Sequence, residues 1–136
     1  MLVSGMLFHA TQAAAACSVL NSTTPRVREI VGQQGGWPIS NAKCEFLKKN
    51  NLYLNVKAES TVLAGSSVGW AVVSLVSEDN VASDETHSST YVNSSVASMD
   101  RANQLTITAL KDAINGLDFE KAAGEITAYR KSMKKS

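Results

Sequence analysis

Alternation of apolar and polar positions singles out one run in this chain, Val68-Gly69-Trp70-Ala71-Val72-Val73-Ser74-Leu75-Val76. Val68, Trp70, Val72 and Val76 fall on one side of an extended backbone, and Ala71, Val73 and Leu75 on the other. A strand with two apolar sides predicts a central position in a sheet with cover on both faces. Upstream, Leu52, Leu54, Val56 and Ala58 alternate with Tyr53, Asn55, Lys57 and Glu59, the pattern of a half-buried strand with one wet face. Gly65-Ser66-Ser67 reads as the turn joining the two strands in antiparallel order. Downstream, Ser77 to Ser89 is polar throughout and predicts a long hairpin loop. Ser88 to Val96 then predicts a third strand, with Thr90, Val92 and Val96 against Tyr91 and Asn93.

Helical spacing frames these strands. Thr24-Pro25 supplies an N-cap hydroxyl and a proline at the first helical position; Val27, Ile30 and Val31 share a face, and Gly35-Gly36 ends the helix. Ser40 caps a second helix, with Cys44 and Leu47 on its inward face, and Asn50-Asn51 breaks it. Near the C-terminus, Ser98 caps a helix whose stripe runs through Met99, Ala102, Thr106, Leu110, Ala113, Ile114 and Leu117. Asp118 caps a last helix bearing Phe119, Ala122, Ala123, Ile126, Arg130 and Met133. The fold predicted is α+β: a small antiparallel meander of three or four strands packed against N-terminal and C-terminal helices.

Length adds that 136 residues make one domain, large enough to fold without a metal or a dense disulfide framework. A net charge of +1 gives no electrostatic reason to expect nucleic acid as a partner. Two histidines, His9 and His87, and two cysteines are a poor supply of metal ligands, so neither metal nor cofactor is expected.

The N-terminal pattern bears on location. No charged residue precedes Arg26, Met1 to Ala10 is largely apolar, and Ala13 to Ala16 are all alanine. An apolar stretch followed by small residues is the cleavage pattern of a signal peptide, here over residues 1–16, although the usual basic start is missing. The segment is too short to span a bilayer, which takes about 20 apolar residues. Residues 17–136 are then the mature domain. Ala15-Ala16-Cys17 also meets part of a lipoprotein site, but Ala14 stands where leucine is usual. The simpler expectation is a disulfide between Cys17 and Cys44, worth roughly 3–4 kcal/mol by loop-closure entropy.

Candidate chemistry is sparse. Glu78, Asp79, Asp84 and Glu85 with His87 form the one cluster able to supply acid-base groups, without the spacing of a calcium loop. Gly65-Ser66-Ser67-Val68-Gly69 matches the letters of a nucleophile elbow, yet it leads into a strand where an elbow must open a helix. Tyr53 and Tyr91 can stand on one sheet face as contact anchors, and Arg130 and Lys131 crowd the end of the last helix. Asn21-Ser22-Thr23 and Asn93-Ser94-Ser95 match glycosylation sequons. The sequence thus predicts an exported, periplasmic or secreted binding module of a bacterial envelope. Its partner would be a protein or a cell-envelope component. The alternatives are a small-ligand carrier with a cavity between sheet and helices, and a compact enzyme using the Glu78–His87 segment.

Overall fold

A computed structural model of the chain describes residues 21–134. The expected signal peptide and Cys17 lie outside the described residues. In chain order the elements are β1 (Asn21–Ser22), α1 (Pro25–Gln33), α2 (Asn41–Asn50), β2 (Leu52–Leu63), β3 (Ser66–Ser77), β4 (Ala82–Asn93), α3 (Met99–Gly116) and α4 (Phe119–Lys134). The fold is α+β, and its open sheet has the order β1-β2-β3-β4. The three long strands form the antiparallel meander, and the two-residue β1 adds a parallel edge beside Leu54 and Asn55.

Local chemistry sets the boundaries. Thr24, Ser40 and Ser98 each adopt extended backbone at an N-cap, and their hydroxyls accept from the N–H groups of Val27, Lys43 and Arg101. The Asp118 carboxylate does the same for the Lys121 N–H at 3.0 Å, opening α4. Asn51, at φ 54, takes the left-handed conformation that ends α2 and turns directly into β2. Between β2 and β3, Leu63 pairs with Ser66, leaving Ala64 (φ 49) and Gly65 (φ 81) as a two-residue turn. Two positive φ values in succession match the right-handed twist of the strands they join.

Two corrections to the sequence reading concern β3 and β4. The segment expected to be a loop to Ser89 is strand from Ala82 onward, and the turn is confined to residues 78–81. It closes through the Ser77 hydroxyl, which accepts from the Val81 N–H at 3.1 Å, and through Asn80, at φ 63. The strand needs no apolar residues here because a register shift between Ser74 and Val76 opens the ladder, and the Ser83 hydroxyl accepts from the Leu75 N–H at 3.1 Å in place of a backbone partner. The second correction is to cover. β3 is central, paired along its length with β2 and β4, but among the described residues only one of its faces is sealed by helices.

On that sealed face, Leu54, Ala71, Val73 and Leu75 are fully buried beneath Ala109, Leu110, Ala113 and Ile114 of α3. The helix lies so close that a Cβ on Gly69 would stand 2.2 Å from the Thr106 backbone nitrogen, so only glycine fits there. Thr106 anchors the crossing: its hydroxyl lies 2.6 Å from that of Ser60 and 3.0 Å from the Glu59 carbonyl. Val27, Val31, Cys44 and Leu47 of α1 and α2 join the same core, as do Phe119, Ala122 and Ile126 of α4. Lys43 donates to the Ile114 carbonyl at 3.0 Å, satisfying the end of α3, and its ammonium stands 5.2 Å from the centroid of the Phe119 ring. Met99, expected on the inward stripe of α3, is exposed instead, as are Arg130 and Met133 on α4.

Candidate interaction surface

The opposite face of the sheet is assembled by strand periodicity alone. Once Leu52, Leu54 and Val56 point into the core, Tyr53, Asn55, Lys57, Glu59, Thr61 and Leu63 must point away from it. The register then lays them beside β3 in rows: Tyr53 by Val76, Asn55 by Ser74, Lys57 by Val72, Glu59 by Trp70, Thr61 by Val68 and Leu63 by Ser66. From the other side β4 brings Thr86 to Ser74, Ser88 to Val72, Thr90 to Trp70 and Val92 to Val68. The result is an apolar spine of Val68, Trp70, Val72 and Val76, half-buried between hydroxyls on one flank and a mixed row on the other. Leu63 and Val92 extend it at one end, 60% and 59% exposed. None of these side chains belongs to the core cluster, and among the described residues every helix that contributes to that cluster does so on the opposite face.

Tyr53 and Tyr91 do not share a face. Tyr53 lies on the open side, whereas Tyr91 pairs with Gly69, turns toward α3 and donates its hydroxyl to the Asp112 carboxylate. That bond holds the phenol above its ordinary pKa, because ionising it would set two anions side by side. The offset of one residue that separates them is the strand period itself.

The acidic segment is divided: Asp79 and Asp84 line one groove beside α4, and Glu85 and His87 make contacts elsewhere. Asp79 sits in the turn, accepts from the Ser77 hydroxyl at 2.5 Å and faces the Arg130 guanidinium at 3.4 Å. Its carboxyl is held below the usual range, first by the Ser77 hydrogen bond and with help from Arg130 and Lys134. Glu85, in β4, pairs with Lys121 of α4 at 3.0 Å, and the Glu85 N–H donates to the Glu125 carboxylate at 2.7 Å. His87 turns to the helix side, where its ring occupies the space a side chain on Gly116 would need. Asp79 and Glu85 are therefore committed to separate ion pairs, and among the described residues no three His, Cys, Asp or Glu side chains gather to hold a metal ion. Glu78 and Asp84 are exposed.

Ser67, at the centre of the elbow-like string, is fully buried in β3. Its hydroxyl lies 2.5 Å from the Val96 carbonyl and accepts from the Ser98 N–H at 3.0 Å, pinning the connection from β4 into α3. Arg130 and Lys131 stand on the exposed side of α4. A surface groove of about 490 Å³ between α4 and the start of β4 is lined by Val81, Tyr129 and Met133 together with Asp79, Asp84 and Glu125. The layer between sheet and helices, by contrast, is filled by fully buried side chains.

The chain matches no protein-family model and no curated protein. Among the described residues no helix is long and apolar enough to cross a membrane.

Proposed function

We propose that the chain is a small exported binding module whose working surface is the open face of its sheet. The observation that carries this reading is the asymmetry of β3: Ala71, Val73 and Leu75 are fully buried, while Val68, Trp70, Val72 and Val76 remain partly open to water. An aromatic and three β-branched residues in one row, rimmed by hydroxyls and charges, have the composition of an interface core with a polar rim. The partner is a protein, and contact is made through side chains of the sheet face. Catalysis is not part of the proposal, since Asp79 and Glu85 of the acidic segment are held by Arg130 and Lys121.

Export is proposed on the N-terminal pattern, and with it the Cys17–Cys44 disulfide. Cys44 is buried on the inward face of α2, and β1 begins a few positions after Cys17 and pairs with β2 beside the same core. A bridge there would tie the mature N-terminus to α2. Mass analysis of the exported protein should give a start between Ala14 and Cys17, and the oxidised form should be lighter than the reduced form by two hydrogens.

The functional reading is tested by site-specific photo-crosslinking in the native host. A photoreactive residue at position 72 on the open face should capture protein, and one at the more exposed position 131 on α4 should not. Capture at 131 alone would move the working surface to the C-terminal helix.

A further inference from the structure

The centre of the open face is self-complementary, and we propose that the occupant of the face is a second copy of this chain, packed face to face about a two-fold axis that crosses the strands between Val72 and Trp70. This inference rests on the reading of the open face as the working surface and names its partner.

The register fixes what such an axis would do. Lys57 lies beside Val72, and Glu59 beside Trp70. A two-fold placed between these rows sets Lys57 of one copy over Glu59 of the other, and Glu59 over Lys57, so both exposed charges meet their opposites. The same operation places Val72 over Trp70, Asn55 over Thr61, Tyr53 over Leu63, and Ser88 over Thr90. Near the axis charge meets charge, apolar meets apolar and hydroxyl meets hydroxyl; farther out Val68 lies over Ser74, Val76 over Ser66 and Val92 over Thr86, so the match is concentrated around the axis. No two like charges are opposed. Among the described residues neither Lys57 nor Glu59 forms an ion pair within the chain, and both are exposed.

Area supports the same occupant. Three twelve-residue strands present a face on the order of 600 Å², from about 4.8 Å between strands and about 3.3 Å per residue. Two copies would bury about 1,200 Å² in total, at the lower bound for a specific interface. Two twisted sheets stack with their strands near −30° and roughly 10 Å apart, the arrangement of a β-sandwich core. Leu63 and Val92, the most exposed members of the face, would then be covered at its ends.

The test is sedimentation equilibrium of the mature chain, from Cys17 onward, with single and paired charge reversals. Lys57→Glu and Glu59→Lys each turn both symmetric contacts from attraction to repulsion and should weaken the dimer roughly 30-fold. Lys57→Glu combined with Glu59→Lys re-creates the match and should return affinity to within about fivefold of the original. Both positions are exposed, so circular dichroism should show the fold unchanged in all three. Quenching of Trp70 by acrylamide, in a Trp37→Phe background, should fall as the concentration rises through the dimer transition.

A chain monomeric at every concentration overturns the dimer, as do reversals without effect or a double variant that fails to recover. A monomer whose Trp70 is freely quenched and whose position 72 captures a different protein overturns the dimer while the binding-face reading stands. A monomer whose Trp70 is shielded overturns both, since the face would then be covered within the chain itself.

Discussion

The two faces of β3 carry side chains of similar hydrophobicity and have opposite fates. Val73 is fully buried beneath α3, and Val72, its neighbour in the chain, is part of an open surface. What separates them is the company kept on the adjacent strands. On the sealed side, β2 offers Leu54, Val56 and Ala58, which together with Ala71, Val73 and Leu75 make a field wide enough to hold a helix. On the open side, β2 offers Asn55, Lys57 and Glu59 and β4 offers Thr86, Ser88 and Thr90, so the apolar spine is one strand wide. A helix laid there would bury charges and hydroxyls without partners. Burial belongs to patches, and a strand inherits its environment from its neighbours.

The sharpest way to break this comparison uses the neighbouring valines. Val73→Asp places a charge in a site with no water and should cost more than about 4 kcal/mol, leaving the domain unfolded. Val72→Asp should cost about 1 kcal/mol, the span of strand preference, with the fold retained. Chemical denaturation of both variants, at concentrations that keep copies apart, measures the difference directly. Equal losses would mean that the spine is covered as tightly as the core.

The next effect comes from the contact that lets α3 approach the sealed side at all. Gly69→Ala would drive a methyl against the Thr106 backbone, which cannot rotate away as a side chain can. Helix and sheet would have to separate, at a cost of about 3 kcal/mol. Thermal unfolding of Gly69→Ala against wild type checks it, with Ser66→Ala at the start of the same strand as a control expected within about 0.5 kcal/mol.

Much of the architecture was legible because its signals are local. Thr24, Ser40, Ser98 and Asp118 cap the helices whose starts they announce, and Leu52 to Ala58 alternates as a half-buried strand should. Four features were misread, for different reasons. The first half of β4 carries no apolar code, since Ser83 substitutes for a backbone partner and Glu85 is held by Lys121; both are tertiary contacts invisible in spacing. The exposure of Trp70 and Val72 was in principle readable. The wet face assigned to β2, with Lys57 and Glu59, becomes the face of Trp70 once the antiparallel register is drawn, and a strand cannot be sealed on the side where its neighbour is wet. The candidate contact pair Tyr53 and Tyr91 failed on the same parity, because alternation had to be carried across two ladders. The acidic segment misled for want of its partners: Arg130 and Lys121 are far away in sequence and adjacent in space.

Ser67 extends the comparison to polar groups. Being fully buried on the sealed side, it is useful only because the Val96 carbonyl and the Ser98 N–H need partners there. Ser67→Ala should cost about 2 kcal/mol by leaving both without their hydroxyl. Ser88→Ala on the open face should be within about 0.5 kcal/mol, since water replaces what is lost. Urea midpoints of the two variants give the contrast.

The smallest expected effect is one of pH, and it too belongs to the sealed side. Tyr91 and Lys121 both tie β4 to the helices, through Asp112 and Glu85, and those hydrogen bonds raise both pKa values in the folded chain. On rising pH the unfolded chain therefore releases these protons first, so the stabilisation is complete below about pH 10 and is lost above it. Asp79 runs the other way: its lowered pKa contributes stability above the ordinary carboxylate range, and that contribution disappears in acid. Denaturation midpoints followed from pH 8 to about pH 11 should decline in wild type. Tyr91→Phe and Lys121→Met should each flatten part of that decline, because neither variant has the proton to lose. Lys57→Met, whose ammonium stands on the open face away from those contacts, should leave the slope as it is when copies are kept apart. An alkaline slope that follows Lys57 instead would place the pH-sensitive contacts on the open face.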